Sequence, residues 1–524
     1  MKKIDLLTLF LIALCVLSIN FVFQKHPGYM DSEYYFLGGR QLLEGENSLP
    51  VIWNYLDGAN QLPHPLFSYW MPFASILTAV SMFLFGSSFL GSRIIFYLLA
   101  AGLAPLTFLI SYKISQNRFI SYLSGLLSIF SGYYLKFFTI PETIVPVIFL
   151  GGVFFLLIGY LFENKNIKYN LLIFLGIISG LLYLSRSDGV LYVIIAIGCV
   201  IVASWKTQNE NEFSRLVKKL LVLVVFFLIT TGWIFVYNKI NFGTFLTPAS
   251  SRALMIATYD DTFIYPASAL TPDYFFEQGV GLRPEQIWTA LKQNTGSFIG
   301  VQLLIVGLPL FILGLRKRHN KSIIRVAILH FLSITVFMTI VFPLAGARGG
   351  FLHASSGNQI ILWFLVADGL HEFIEWGIRK RNWKLVRSQK MFGSALVIFV
   401  LLLTVIVYAK DVVGDIPGAY KWNSDYEKYE FIESMIKEKS EFKSDVVMIN
   451  NPLGYYYTTG RWSVVIPNAE SLNLLKIMNK LDVKYVVLDE NMPDKFGKSQ
   501  LELIEGQFNI LYSDQENLKV YARP

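Results

Sequence analysis

Cysteine is nearly missing from this chain of 524 residues, which has two, Cys15 and Cys199. Both sit inside apolar runs, so neither a disulfide framework nor a thiolate metal site is expected. Charge is scarce as well. Asp, Glu, Lys and Arg make up 16% of residues, against about 25% in an ordinary soluble protein. Beside a hydrophobic content of 54%, that scarcity excludes a soluble globular enzyme, a disordered chain and a fibre. No internal repeat or low-complexity tract is visible, which counts against the repeat symmetry of many transporters. What abounds is aromatic and aliphatic: aromatics reach 15%, with 43 Phe and 28 Tyr. Many apolar runs of about twenty residues leave one class, a multi-pass α-helical membrane protein. The formal net charge of +8 implies no nucleic-acid partner, because the basic residues cluster between apolar runs, as in cytoplasmic loops.

An apolar run from Leu6 to Phe23 follows Met1-Lys2-Lys3. It is long for a signal-peptide core, and Gln24-Lys25-His26-Pro27 offers no small-x-small cleavage site, so an uncleaved first span with its N-terminus inside is expected. Further spans are expected over 91–112, 118–138, 143–162, 169–185, 189–205, 219–238, 298–315, 323–343, 358–376 and 391–409. Basic residues mark the cytoplasmic loops by the positive-inside rule. They are Lys113 and Arg118; Lys165 and Lys168; Lys206, Arg215, Lys218 and Lys219; Arg316, Lys317, Arg318, Lys321 and Arg325; and Arg379, Lys380, Arg381, Lys384, Arg387 and Lys390. About eleven spans agree with this orientation only if the apolar segment 65–85 does not cross. That segment, with Phe67, Tyr69 and Trp70 at its start, is expected as an interfacial or re-entrant helix on the outer side. The alternative is a twelfth span.

The outer side then carries large loops over 24–90 and 239–297, short connections around Glu142, around Arg186 and over 344–357, and the tail after Tyr408. Composition shifts after Ala409, so residues 1–410 read as a transmembrane module and 411–524 as an extracytoplasmic, soluble α/β domain. There, 445–450 reads as a buried strand, 470–481 as a helix with Asn468 as N-cap, 484–488 as a second strand, and 508–512 with 518–521 as a hairpin. Asn450-Asn451-Pro452-Leu453-Gly454 reads as a turn, and no phosphate-binding glycine fingerprint is present. A packing or acceptor-docking role is expected for this domain.

Candidate chemistry gathers in the outer loops. Tyr29-Met30-Asp31-Ser32-Glu33-Tyr34-Tyr35 puts carboxylates among aromatics at a membrane interface, where one can take a proton from a hydroxyl or hold a cation. On a helix Asp31 and Glu33 point about 200° apart, so one serves chemistry and the other structure. Against this stands a solvated charge or helix N-cap. His64, between Pro63 and Pro65, is a candidate for a lipid phosphate. Glu142 follows Pro141, which is expected to open a helix; a first-turn Glu also suits the helix dipole. Its side of the membrane matches that of Asp31, and two such carboxylates can flank a substrate or a divalent cation. Arg186 (in Ser185-Arg186-Ser187-Asp188), Arg252, Arg348 and His353 are cations suited to an anionic lipid headgroup. For Arg186 the plainer alternative is a salt bridge to Asp188, and for the others a solvated loop charge.

These motifs in this order resemble the GT-C superfold of membrane glycosyltransferases, in the group of protein O-mannosyltransferases and aminoarabinose transferases. Asp31, Glu33 and Tyr34 follow the first span, and His64-Pro65-Leu66-Phe67-Ser68-Tyr69-Trp70 follows in the same loop. Gly91-Ser92-Arg93 opens a span, and Trp233, Tyr237-Asn238 and Phe242-Gly243 lead into the second large loop. The resemblance covers most of 1–380. It implies a polyprenyl-phosphate-sugar donor, a glycan, lipid or protein acceptor, and inverting transfer on the outer face. It also implies an acidic general base mapping onto Asp31 and a second acid mapping onto Glu142. Glu33, His64, Arg186, Arg348 and His353 are then the candidate substrate-binding residues. The family's Pro-Pro-Leu is His64-Pro65-Leu66 here. No second Asp adjoins Asp31, so metal dependence is left open, with Asp31 and Glu142 as ligands if a divalent cation binds. The alternatives are a lipid-linked glycan polymerase or ligase, a transporter or flippase with Asp368 as its internal carboxylate, and a non-catalytic scaffold.

Overall fold

Hydrocarbon offers no partner to a backbone N–H or C=O, so apolar sequence of span length folds as helix. The computed structural model describes residues 3–164, 166–205, 212–279, 281–415, 420–514 and 518–524; Met1, Lys2, Lys165 and Lys206 therefore lie outside the described residues. Among the described residues seven helices are long and apolar enough to cross a membrane: Lys3–Phe23, Phe89–Ser115, Ile144–Glu163, Ser187–Trp205, Phe213–Phe242, Ser322–Val341 and Leu385–Val413. Leu282–Gln302 and Gly307–Arg318 are apolar enough together but meet at a bend of 89°, the form of a broken span or of a re-entrant loop. Shorter helices at Arg118–Ile129 and Tyr169–Ser185, and the helix Gln359–Arg381, occupy the remaining expected positions. The chain is thus a multi-pass α-helical membrane protein with a sheet near its C-terminus.

Some local expectations are corrected. The span expected straight over 298–315 is broken, because Leu304 and Ile305 take left-handed backbone, φ 52° and 59°. In the segment 65–85 the helix begins only at Phe73 and ends at Phe85. Its 13 residues reach about 20 Å, short of the roughly 30 Å hydrocarbon core. Phe67, Tyr69 and Trp70 are not on that helix; they pack against Tyr237, Trp53 and Tyr34. Pro141 does not open a helix: the next one starts at Ile144, and Glu142 precedes it.

Glycines set the closest helix crossing. A Cβ on Gly314 would lie 2.1 Å from the Leu365 carbonyl oxygen, and one on Gly369 1.8 Å from that of Leu310. Small residues let backbones touch in this way, and the crossing brings Arg318 onto the buried Asp368, 2.8 and 2.9 Å away. The internal carboxylate is therefore half of an ion pair.

The sheet has six strands in the order β2-β5-β4-β6-β8-β7. Strand β1 (Ser48–Leu49) pairs instead with β3 (His64–Pro65) within the first large loop. Strands β4 (Val446–Met448), β5 (Ser463–Val464) and β6 (Val483–Leu488) are parallel, and β7 (Asn509–Ser513) and β8 (Lys519–Ala522) close the sheet antiparallel. Every residue of β4 is buried, as a parallel strand covered on both faces requires. The sixth strand, β2 (Val51–Ile52), comes from the first large loop and pairs parallel with β5. Asn468 does not cap the following helix, whose N-cap is Glu470; its Oδ1 accepts from the Lys495 N–H at 3.0 Å. The expected turn at 450–454 is a helix start. Asn451 caps Pro452–Thr459, accepting from Gly454 N–H, with Pro452 in the first turn, where its missing N–H costs nothing.

Candidate active site

The helix Met30–Glu44 carries the first acidic motif. Tyr29 precedes it in extended backbone, so Asp31 falls in the first turn, where the positive end of the helix favours a carboxylate. Glu33 leaves the other face. Its oxygens accept from the Tyr426 hydroxyl at 2.8 Å and from Asn451 Nδ2 at 3.0 Å. Burial pushes its carboxyl up to about 7 against those two bonds. Glu33 therefore ties the helix to the C-terminal unit.

Asp31 faces a different neighbourhood. It keeps an exposed edge yet lies near enough to Glu142, His353 and Arg186 to feel their charges. Burial and then the Glu142 charge push it up to about 7, against the pull of His353, Arg186 and Trp70. Glu142 goes the other way. It accepts from the Tyr29 hydroxyl, from Thr143 N–H at 2.6 Å and from Thr143 Oγ1 at 2.7 Å. His353 Nδ1 lies 3.4 Å from Glu142 Oε1. Burial opposes its charge, but these bonds and the His353 charge outweigh it and hold the Glu142 carboxyl below its ordinary value. Two neighbouring carboxyl groups are thus driven apart, one kept ionised and one poised near neutrality, the pattern of an acid–base site.

The cations are arranged around this pair. Arg186 forks onto Asp188 at 2.7 and 3.0 Å, the salt bridge weighed above, while its charge still acts on Asp31 and Glu142. Exposed Arg348 sits in a kink where Gly349 has φ 104°, its guanidinium 3.3 Å from the centroid of Tyr259. Tyr259 is near enough to Asp31 to feel its charge, so it links Arg348 to the cluster. Two expected residues are elsewhere. His64 is engaged by Asp57, Nε2 to Oδ2 2.7 Å, and Glu33 by the C-terminal unit. Arg252 donates to the Leu56 carbonyl. Tyr29, Tyr69, Trp70 and Tyr259 were given no role by the sequence. Their signal was aromatic density beside the acidic motif, which does not distinguish a packing ring from one facing the site.

The remaining motifs hold the frame. Arg93 is buried and bonds Gln24 O, Gln24 Oε1, Thr139 O and Thr139 Oγ1 at 2.7–3.2 Å. It fastens the end of the first span to the approach to Glu142. Tyr237 donates to the Leu66 carbonyl at 3.0 Å, and its ring lies 5.7 Å from that of Phe67, so those two motifs meet as packing.

Among the described residues no group of three or more His, Cys, Asp or Glu is placed to hold a metal. Glu142 already accepts three hydrogen bonds, so a hard cation here would rest on Asp31 and on substrate phosphate oxygens, which suits Mg²⁺-type binding through one or two carboxylates. Such a cation would neutralise phosphate charge.

No protein-family model and no curated protein matches the sequence. Solved structures match it along its length. The chain is similar to the oligosaccharyltransferase AglB of Archaeoglobus fulgidus in complex with an inhibitory peptide and a dolichol-phosphate: 13% identity, TM-score 0.51, 99% of this chain and 74% of that one. It is similar to ArnT from Cupriavidus metallidurans bound to undecaprenyl phosphate: 12% identity, TM-score 0.54, 99% and 98%. The arabinofuranosyltransferase AftD from mycobacteria is matched at 11% identity and TM-score 0.53, over 100% of this chain and 42% of that enzyme. At these identities the likeness is one of fold. All are membrane glycosyltransferases of GT-C fold.

Proposed function

We propose that this membrane protein of GT-C fold transfers a sugar from a polyprenyl-phosphate donor to a hydroxyl acceptor on the outer face of the membrane, with inversion, and that Asp31 is its general base. The observation that carries this reading is the Asp31–Glu142 pair, with Arg186 and His353 beside it. A base is most effective when it ionises near the working pH, and Asp31 sits at about 7. That similar folds are recorded with dolichol-phosphate and with undecaprenyl phosphate supports the donor class.

In this mechanism Asp31 takes the proton of the acceptor hydroxyl. The acceptor oxygen attacks the anomeric carbon in line, and the bond from that carbon to the phosphate oxygen breaks. Polyprenyl phosphate leaves with the electron pair. Arg348, Arg186 and His353 meet the charge that develops on its oxygens. Glu142 stays ionised, keeps His353 oriented and raises Asp31. The basic loops support an outer placement of this face. The bonds from Glu33 to the unit 411–524 support a position for that unit on the same face, where it would serve acceptor docking or packing.

The test is a donor panel. Purified protein in liposomes receives radiolabelled sugars on polyprenyl phosphates, with glycan, lipid and protein acceptors. Release of free polyprenyl phosphate coupled to labelled acceptor is expected for one donor class. Folded protein that consumes no donor with any acceptor class contradicts the proposal.

A further inference from the structure

We infer that the start of the helix Leu385–Tyr408, at the end of the bundle remote from Asp31, binds the headgroup of an anionic glycerophospholipid through Lys384, Arg387 and Lys390. The preceding helix, Gln359–Arg381, begins shortly after His353, which lies 3.4 Å from Glu142. Its 23 residues rise about 35 Å, more than the roughly 30 Å hydrocarbon core. The turn that follows it therefore lies at the membrane boundary opposite the candidate active site. Asn382 reverses the chain there with φ 56°. Trp383 fills the inside of the turn, its ring 5.6 Å from that of Phe373 and 4.9 Å from that of Phe392. Gly377 makes room for it, since a Cβ there would fall 2.0 Å from the indole. With the inside occupied, Lys384, Arg387 and Lys390 are left on the outside, all exposed.

Cations at other helix ends meet carboxylates. Lys113 pairs with Glu163, Arg118 with Asp5 and Arg318 with Asp368, and Lys317 and Arg379 share Glu372 and Glu375. Between Glu375 and Asp411 the chain has no acidic residue, and among the described residues none of Lys384, Arg387 and Lys390 is in an ion pair. Their mutual repulsion is unrelieved from within the protein. Lys384, Arg387, Met391 and Ser394 recur at three- and four-residue spacing, so they share one helix face. With Val386 and Lys390 they border an open hollow of about 730 Å³. Further along the same face Met391, Ile398, Leu402 and Val405 form an exposed apolar stripe. A cationic end above an apolar stripe matches a phospholipid, phosphate at the boundary and chains alongside. Arg387 can fork onto two phosphate oxygens, and the lysines add point charges. A soluble phosphate would leave the stripe unused, and a zwitterionic headgroup brings a cation of its own.

The test is native mass spectrometry of the full-length protein in detergent, titrated with phosphatidylglycerol or with phosphatidylcholine of the same acyl chains. Wild type is compared with the triple variant Lys384→Gln, Arg387→Gln, Lys390→Gln. The control is Arg215→Gln, Lys218→Gln, Lys219→Gln, which removes equal charge from another basic loop. One juxtamembrane cation is worth about fivefold in affinity for anionic lipid, so three give about a hundredfold. Wild type is expected to hold its first phosphatidylglycerol at least about tenfold more tightly than phosphatidylcholine. The triple variant is expected to lose that preference and the control to keep it. Equal hold on both lipids by wild type overturns the inference, and so does an undiminished preference in the folded triple variant. Equal loss in the triple variant and the control also overturns it, because net charge alone would then explain the binding. If the triple variant does not fold, Arg387→Gln alone is expected to weaken phosphatidylglycerol about fivefold, and no weakening overturns the inference. No sugar donor enters the measurement, so its outcome is separate from that of the proposed transfer.

Discussion

Glu33 makes the union of the helix Met30–Glu44 with the C-terminal unit sensitive to pH. An ordinary glutamate ionises near 4.5 and this one near 7, because burial outweighs the Tyr426 and Asn451 bonds. Each pH unit of that difference is about 1.4 kcal/mol. Ionising Glu33 in the folded protein therefore costs about 3 kcal/mol more than in the unfolded chain. Between these values the folded state holds the extra proton. Its stabilisation is complete below 4.5 and is lost as pH rises through 7. Glu33→Gln removes the titration. The amide keeps an acceptor for Tyr426 and faces Asn451 less well, so the variant loses some stability at low pH and none further on raising it. The assay is thermal unfolding of detergent-solubilised wild type and Glu33→Gln from pH 4.5 to 8.5. The Tm difference should change by about 3 °C in favour of the variant as pH rises. A difference that stays constant across this range refutes the reasoning.

Other outcomes are expected from the same cluster. Glu142→Gln removes the charge that raises Asp31, so the acid limb of kcat/KM should move to lower pH; movement upward would contradict the assigned coupling. Arg348→Ala should raise the donor KM about 10–100-fold, the value of a charge-assisted hydrogen bond, and leave the melting temperature unchanged because Arg348 is exposed. Unaltered donor KM would remove Arg348 from the phosphate site. Asp368→Asn leaves Arg318 without its charge partner in the bundle and should destabilise by about 3–5 kcal/mol, with transfer per folded molecule unchanged. Transfer lost in a stable Asp368→Asn protein would return that carboxylate to function.

The helices were legible because apolar length is a strong signal: most runs of about twenty residues became one helix, although the helix in the run 118–138 ends at Ile129 and the run 298–315 is broken. Their interruptions were not. Leu304 and Ile305 carry no glycine or proline to announce a break, and the reversal there is a property of packing. The acidic motif was legible as chemistry, but its division was not. Glu33 meets Asn451 across 418 residues of sequence, and nothing near position 33 names that partner. Likewise β2 is two residues long, too short for an alternating pattern, and joins its sheet only through β5. His64 looked like a phosphate ligand because Asp57, seven residues earlier, was not read as its partner.

The most direct measurement compares wild type with Asp31→Asn for transfer of labelled sugar, with donor binding followed in parallel. The account predicts that the variant binds donor as wild type does and transfers at least about 10²-fold more slowly, the lower bound for losing a general base. Transfer within a few-fold of wild type by the folded variant would contradict it and move the chemistry away from Asp31.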